Sequence, residues 1–420
     1  MPHTLDHALS LDANDELAPF RQQFVISDPH LIYLDGNSLG RLPAHTAVRL
    51  QEAVLDEWGT GLIRGWNANW WHAPGRVGEK IAQLIGAAPG QVIVSDTTSI
   101  NLYKLVMAAL RLRPTRTRLL SDTLNFPSDL YIFQGCLDAL GRAHSLDLLP
   151  SSDGIAPDLD QLDALLGPDT ALVSLSHVCF KSGYTYDAAA ITELAHRRGA
   201  LVLWDLSHAA GAVEVALDEW GADFAVGCTY KYLNGGPGSP AYLYVNKNLQ
   251  EQTQQPIWGW WGENAPFAFD LDYTPAPGIL RYLVSSPPVL SMLAVETGVE
   301  VLLQAGMPRL RRKSVQQTEY LIALFEERLA ELGFSLGSPR QAEQRGSHVS
   351  LRHPEGYRIN RALIEELAVI PDFREPDNLR LGIAPLYTSF VEIWEAVERI
   401  RRAVVERRYE HYPQSRLAVT

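Results

Sequence analysis

An α/β protein of two domains is what this chain predicts, with a mostly parallel central sheet covered by helices and a smaller α+β C-terminal domain. Three observations carry that reading. Short, near-continuous apolar runs alternate with helical stretches through the middle of the chain. Parallel strands buried on both faces read in that way. At 420 residues the chain can hold one large core and one smaller one. After Pro287-Pro288 the alternation gives way to long helices between isolated strands. The expected units are an N-terminal segment (1–49) packing with the small domain, a large domain (50–290) and a small domain (291–420).

The elements follow in order. Pro43 to Trp58 carries Ala47, Leu50, Val54 and Leu55 at helical spacing behind a proline near the first turn. Arg76 to Ile85 reads as a second helix. Gln91 to Val94 is a short strand, and Asp96-Thr97-Thr98-Ser99 caps the apolar helix Ile100 to Leu110. Further strands are expected at 118–120, 145–149, 171–176, 200–204, 224–228 and 241–245. Helices fall between them at 130–140 and at 188–198, the latter stopped by Gly199. In the second domain a helix from Pro308 to Leu332 begins basic and ends acidic. A strand (347–351), a helix (359–367), a strand (379–383) and a final helix (389–407) complete it.

Hydrophobic residues make up 46% and charged residues 20%, as in ordinary soluble proteins. The formal net charge of -13 argues against nucleic acid or an anionic membrane as partner. It does not exclude a phosphate, which backbone N–H groups at a helix start can hold. Cys136, Cys179 and Cys228 show no CxxC spacing, so neither a disulfide framework nor a zinc site is expected. No basic-then-apolar leader opens the sequence, and no apolar run reaches the roughly 18 residues of a membrane span. A cytoplasmic, metal-free protein is the expectation.

One constellation carries chemistry. Lys231 follows an apolar strand and precedes Tyr232-Leu233-Asn234-Gly235-Gly236-Pro237-Gly238. Glycines there let backbone approach a ligand. Upstream, the run Ala200 to Trp204 ends in Asp205-Leu206-Ser207-His208. Open α/β sheets bind ligands at such strand ends. A lysine amine can form a Schiff base with an aldehyde, and an aspartate can hold a proton on a pyridine nitrogen. Pyridoxal 5'-phosphate asks for that pair. Asp205 could instead cap the next segment, and His208 could be a core histidine or lie by the cofactor's phenolic oxygen. Thr97-Thr98-Ser99 could cradle a phosphate or simply cap its helix. Phe126-Pro127-Ser128-Asp129 could stack on a ring and back up Asp205, or form a plain helix start. The tryptophans at 58, 66, 70, 71, 258, 260 and 261 could line a substrate pocket or fill a core or a subunit interface. Arg380 could clamp a carboxylate with its guanidinium fork, with Arg374 as competitor, or form a surface ion pair. Neither a P-loop nor G-x-G-x-x-G is present.

Along nearly its full length the chain resembles the kynureninase family. The matching blocks are Tyr33-Leu34-Asp35-Gly36-Asn37-Ser38-Leu39-Gly40, Trp58-Gly59 to Trp66-Asn67, Phe126 to Asp129, Asp205 to Ala209, Tyr230 to Asn234, Gly259-Trp260-Trp261-Gly262 and Arg380 to Tyr387. The resemblance implies the fold of the fold-type I pyridoxal phosphate enzymes, which is transferase-like. It implies that Lys231 carries the cofactor, that Asp205 and Asp129 face its ring nitrogen, and that Phe126 stacks on the ring beside His208. Thr98, Ser99, Ser176 and Tyr230 would hold the phosphate, joined by Trp260 and Ser286 of a neighbouring subunit, so a homodimer is implied. Arg380 would bind the substrate carboxylate, with Ser38 and Trp66 also at the substrate.

The implied reaction is hydrolytic cleavage of the Cβ–Cγ bond of L-kynurenine to anthranilate and L-alanine, in tryptophan catabolism or NAD biosynthesis. Lys231 would remove the α-proton, and Tyr230 would carry protons in later steps. Two departures stand out. Ser286 stands where many eukaryotic members have Asn, and Thr60-Gly61 replaces a histidine-bearing stretch. Both are similar to bacterial members that prefer kynurenine to 3-hydroxykynurenine. A cysteine desulfurase, a selenocysteine lyase or an aminotransferase of the same fold is the competing enzyme reading, and a non-catalytic ligand-binding protein is the other. All three cysteines fall in the expected large domain, which counts against a desulfurase with its nucleophile on a small-domain loop.

Overall fold

The computed structural model describes residues 3–141 and 143–415. Met1 and Pro2, the first residues of the stretch read as lacking a leader, lie outside them. A seven-stranded sheet forms the large layer, in the order Val92–Val94, Tyr242–Val245, Phe224–Gly227, Leu201–Asp205, Thr170–Ser176, Arg118–Asp122, Ser145–Leu149. Four successive pairings are parallel, and only Tyr242–Val245 runs against its neighbours. The three central strands from Thr170 to Gly227 are buried at every position. That explains their unbroken apolar runs, because helices cover both faces.

Helix starts follow local chemistry. Thr97 accepts a hydrogen bond from the Ile100 amide and opens Thr98–Leu112. Asp187 caps Ala188–Arg197 in the same way. Ser389 and Glu392 cap one another's backbone at the start of Phe390–Val405, forming a complete capping box. The first long helix is shorter than its periodicity suggests. Ala44–Glu52 is helical, and the turns widen over Ala53–Thr60 around Gly59 and Gly61.

A four-stranded antiparallel sheet lies in the C-terminal part, in the order Asp372–Arg374, Asn378–Gly382, His348–Arg352, Ser335–Leu336. Residues from the N-terminus form a separate two-stranded sheet beside it. Ile32–Tyr33 pairs in parallel with Val369–Ile370, and the helix Leu5–Ala13 packs on Phe390–Val405. Asp12 accepts hydrogen bonds from the Phe390 and Val391 amides, satisfying orphan donors at that helix start. Lys313 and Asp15 form a buried ion pair at 2.6 Å. The helix Val289–Ala305, which the sequence reading assigns almost wholly to the second domain, packs against Ala44–Glu52 and Ala73–Leu84. Its Met292, Val295, Val299 and Leu302 belong to the core that covers the seven-stranded sheet. Among the described residues no single helix is long and apolar enough to cross a membrane.

Candidate active site

The carboxyl ends of the parallel strands converge on one cavity of about 250 Å³. Register explains the convergence. Ser176 and Asp205 are cross-strand partners at the ends of their strands, and Lys231 follows the next strand after a short turn. Thr98, Ser99, Phe126, Asp129, Ser176, Asp205, His208, Tyr230 and Lys231 all line this cavity. Nine positions spread over 134 residues are thus gathered by topology alone.

Lys231 Nζ lies 2.9 Å from His208 Nε2, and 6.0 Å from the centre of the Phe126 ring. Phe126 is 45% exposed and meets Phe180 edge-on, so one ring face remains open to a ligand. His208 is buried, and burial, with Lys231 beside it, pushes its pKa well below the ordinary value. Its imidazole is therefore neutral. With Nε2 on the lysine, Nδ1 is left shielded and unpartnered.

Asp205 Oδ1 accepts from the Ser207 amide at 2.6 Å. Asp129 is buried beside it with Oδ2 unpartnered. Burial, and then the Asp205 charge, raise the Asp129 pKa well above the carboxylate range. Asp129 is thereby favoured in its neutral form. The start of the helix Thr98–Leu112 lines the same cavity, with the Ser99 and Ser128 hydroxyls 3.4 Å apart. Ser176 donates to Asn125 Oδ1, which also receives the Phe126 amide. Tyr230 is held protonated, first by the neighbouring Cys228 and then by burial.

These features fit pyridoxal 5'-phosphate. A carboxyl pair suits a protonated ring nitrogen, and the orphaned Asp129 oxygen and His208 nitrogen ask for polar partners. Free amides and hydroxyls at a helix start suit a phosphate. An amine 6.0 Å from a half-exposed phenyl ring suits a cofactor aldehyde on a stacked ring.

The N-terminal motif closes one side. The Gly40 amide donates to Tyr230 O at 2.8 Å, and a Cβ on Gly40 would lie 2.3 Å from Lys231 O. The motif glycine is thus a close-approach residue against the lysine turn. Asn37 and Ser38 reach Arg380, and a Cβ on Gly382 would meet the Asn37 side chain at 1.8 Å.

Arg380 is 1% exposed and already engaged. Its Nε donates to Asp372 Oδ1 at 2.9 Å, and Nη2 donates to Asp372 Oδ2 and, at 2.8 Å, to Ser38 Oγ. Nη1 donates to Phe180 O. With its amide turned toward the guanidinium, Asn37 Oδ1 accepts from Nε at 2.9 Å. Of five N–H donors, one on Nη1 is uncommitted among the described residues. The free two-pronged fork expected from sequence is therefore mostly occupied by Asp372. Arg374 also contacts Asp372 Oδ2, at 2.9 Å. The sequence reading missed Asp372. Its signal was available: Asp372 and Arg380 are cross-strand partners in a tight hairpin over Glu375-Pro376-Asp377, where opposite charges pair.

Five expected residues do not line this cavity: Arg380, which adjoins its Phe180, Ser38 beside Arg380, and three that lie elsewhere in the same chain. Trp66 meets Trp70 edge-on and leans on Trp261, outside the cavity. Trp260 is 42% exposed and lines a separate depression with Trp258 and Phe269. Ser286 is exposed on the loop before Val289–Ala305. Cys136, Cys179 and Cys228 are all buried.

Known proteins resemble this chain over most of its length. Residues 310–400 match the family model of the kynureninase C-terminal domain. The chain is 48% identical over 400 residues to a kynureninase of Pseudomonas fluorescens, covering 94% of each. It is 47% identical over 403 residues to a kynureninase of Burkholderia pseudomallei strain 1106a, covering 95% of each. Among solved structures, the apo cysteine desulfurase of Thermococcus onnurineus NA1 superposes with a TM-score of 0.80 at 17% identity, over 92% of this chain and 98% of that one. A C-DES mutant with glycine covalently linked to its PLP cofactor superposes with a TM-score of 0.78 at 19% identity, over 91% and 98%. The architecture is that of the fold-type I pyridoxal phosphate enzymes.

Proposed function

The chain belongs to the kynureninase family, and on that premise we propose that it hydrolyses the Cβ–Cγ bond of L-kynurenine, releasing anthranilate and L-alanine. The observation that carries the reading is the Lys231 amine, 2.9 Å from a neutral histidine, in one cavity with the Asp205–Asp129 pair. Pyridoxal 5'-phosphate is the cofactor, and when bound it supplies an electron sink for charge developing next to the substrate α-carbon.

The chain's own residues do the rest. Asp205 holds a proton at the ring nitrogen, and Asp129 keeps the neighbouring position neutral so that only one negative charge faces that nitrogen. Lys231 takes the proton from the substrate Cα and returns it during turnover. His208, neutral and bonded to Lys231, orients that amine. Tyr230, held in its phenol form, delivers protons to the departing fragments. Water adds to the side-chain ketone, and its two hydrogens are divided between the two products. Phe126 stacks on the ring, and Thr98, Ser99, Ser176 and Tyr230 hold the phosphate.

Arg380 receives the α-carboxylate through its uncommitted N–H, with Ser38 beside it and Arg374 as an auxiliary charge. Trp66 acts at the substrate only across a subunit boundary, because it does not line the cavity of its own chain. Trp260 and Ser286 reach the phosphate from a second copy, since both are exposed on their own chain. The active unit we propose is a cytoplasmic homodimer of chains built from a large domain (50–290, joined by the helix Val289–Ala305), a small domain (the rest of 291–420) and the 1–49 segment. Kynurenine is the preferred substrate over 3-hydroxykynurenine.

The test is direct. Holoenzyme given kynurenine without any keto acid releases fluorescent anthranilate and equimolar alanine. Dependence on a keto acid would replace the hydrolase reading with transamination.

A further inference from the structure

Behind Arg380 lies a carboxylate that the proposed reaction leaves unused. Asp35 bridges Gly382, two residues beyond Arg380, through its backbone. Its Oδ1 is shielded and has no hydrogen-bond partner. Its carboxyl also lies against that of Asp372, close enough for a hydrogen bond between two acids. Two carboxyls held this close favour a proton on one of them.

The surroundings decide which one. Asp372 is 1% exposed and bound by Arg380, Arg374 and Ser38. Against the opposing effect of burial, these partners hold its carboxyl below the usual range. The groups facing Asp35 are Asp372 and Arg374 from the edge strand, Arg380 from the next strand, and Ser38 and Tyr33 from its own segment. Tyr232 and Tyr387 face it from the two adjoining loops. Further out, Arg41 lies over the Tyr33 and Tyr387 rings, and neutral His348 faces Arg380 and Asp372.

A charge count gives the consequence. With both carboxylates ionised, Arg374 and Arg380 are neutralised and the cluster offers an incoming carboxylate no net attraction. With Asp35 protonated, the cluster carries one positive charge. We propose that Asp35 is a positioning residue that keeps a proton when a substrate carboxylate docks on Arg380, so that substrate binding and proton binding are linked. The inference rests on the proposed role of Arg380. Burial, and then the Asp372 charge, push the Asp35 pKa up to about 7 in the free enzyme. A bound anion raises it further. Binding is therefore tightest below that value and weakens as pH rises through it, by roughly tenfold for each unit of further shift on binding.

The experiment uses holoenzyme and 3-benzoylpropionate, which keeps the aryl ketone and carboxylate of kynurenine and has neither amine. Its inhibition constant is measured between about pH 6 and pH 9, and its binding is followed by calorimetry near pH 7.5 in two buffers of different ionisation enthalpy. Expected for the wild type are net proton uptake and an inhibition constant that rises roughly tenfold across that range. Asp35→Asn, permanently neutral, takes up no proton and gives a flat profile. Absence of proton uptake in the wild type overturns the inference, and that measurement needs no folded variant. Retention of the wild-type slope by Asp35→Asn overturns it too. Arg380→Ala separates the two layers. Unchanged inhibitor affinity in that variant defeats the carboxylate role of Arg380 itself. Weakened affinity together with an unaltered slope in Asp35→Asn defeats only the proton linkage.

Discussion

Removing the Arg380 guanidinium tests the substrate-binding reading most sharply, because its geometry bounds the effect. Four of its five N–H groups are committed to Asp372, Ser38 and Phe180 O. One charge-assisted hydrogen bond is left for a carboxylate, and such a bond is worth roughly 1.5–3 kcal/mol. At about 1.4 kcal/mol per factor of ten, Arg380→Ala raises KM for kynurenine by roughly 10- to 150-fold. The chemistry at Lys231 is untouched, so kcat falls far less. Arg380→Lys restores a charge without the planar fork that holds Asp372, and recovers only part of the loss. Initial rates from anthranilate fluorescence over a wide kynurenine range separate the two parameters, and circular dichroism checks that each variant is folded. An unchanged KM in folded Arg380→Ala would refute the assignment and turn attention to Arg374. A rise far above a thousandfold would refute the single-contact geometry, because it requires Asp372 to release the fork.

Three further outcomes follow from the same structure. Lys231→Ala binds the cofactor without the visible absorption of a lysine-bound form and releases no anthranilate; sustained release would remove Lys231 from the reaction. Phe269→Asp combined with Leu271→Asp, at side chains 78% and 102% exposed beside Trp260, converts a dimer to monomers in light scattering and lowers activity. A fully active dimer would put the interface elsewhere. Buried carboxyls and buried histidines pull stability in opposite directions in mild acid. Asp122 has its pKa raised by burial to about 6 and Asp35 to about 7. Those two carboxyls therefore contribute stability that grows as pH falls from 7 toward about 5, whereas His177, His208 and His348, held neutral by burial, take up protons only on unfolding and oppose that gain over the same range. Asp372 and Glu296 are held low by Arg380 and by Arg76 and Lys80 against the effect of burial. Their contribution is present above the unfolded carboxylate range and is lost as pH drops below about 4. The Tm of the wild type relative to Asp122→Asn therefore rises as pH is lowered from 7 to 5, and a difference that stays constant with pH would contradict this.

How much could be read in advance depended on the range of the interaction. Asp205 and Lys231 were legible because each ends or follows an apolar run, and a parallel sheet collects such ends on one edge. The Thr97-Thr98-Ser99 cap was legible because capping is settled within four residues. Gly40 stood out only as part of a block, and its reason, backbone contact with Lys231 O, spans nearly two hundred residues. The break after Pro287-Pro288 marks a change of texture, yet the packing of Val289–Ala305 follows its apolar faces onto the sheet core.

Composition and periodicity by themselves determined a layered α/β chain with a lysine and an aspartate at the strand ends, because burial patterns and turn chemistry act over a few residues. Tertiary structure alone decided that Asp372 occupies most of the Arg380 fork, that Asp35 lies against it, and that Trp66 packs on Trp70 and Trp261 outside its own cavity. Those outcomes depend on strand register and on which surfaces meet, and an ion's charge state follows from neighbours that only folding supplies.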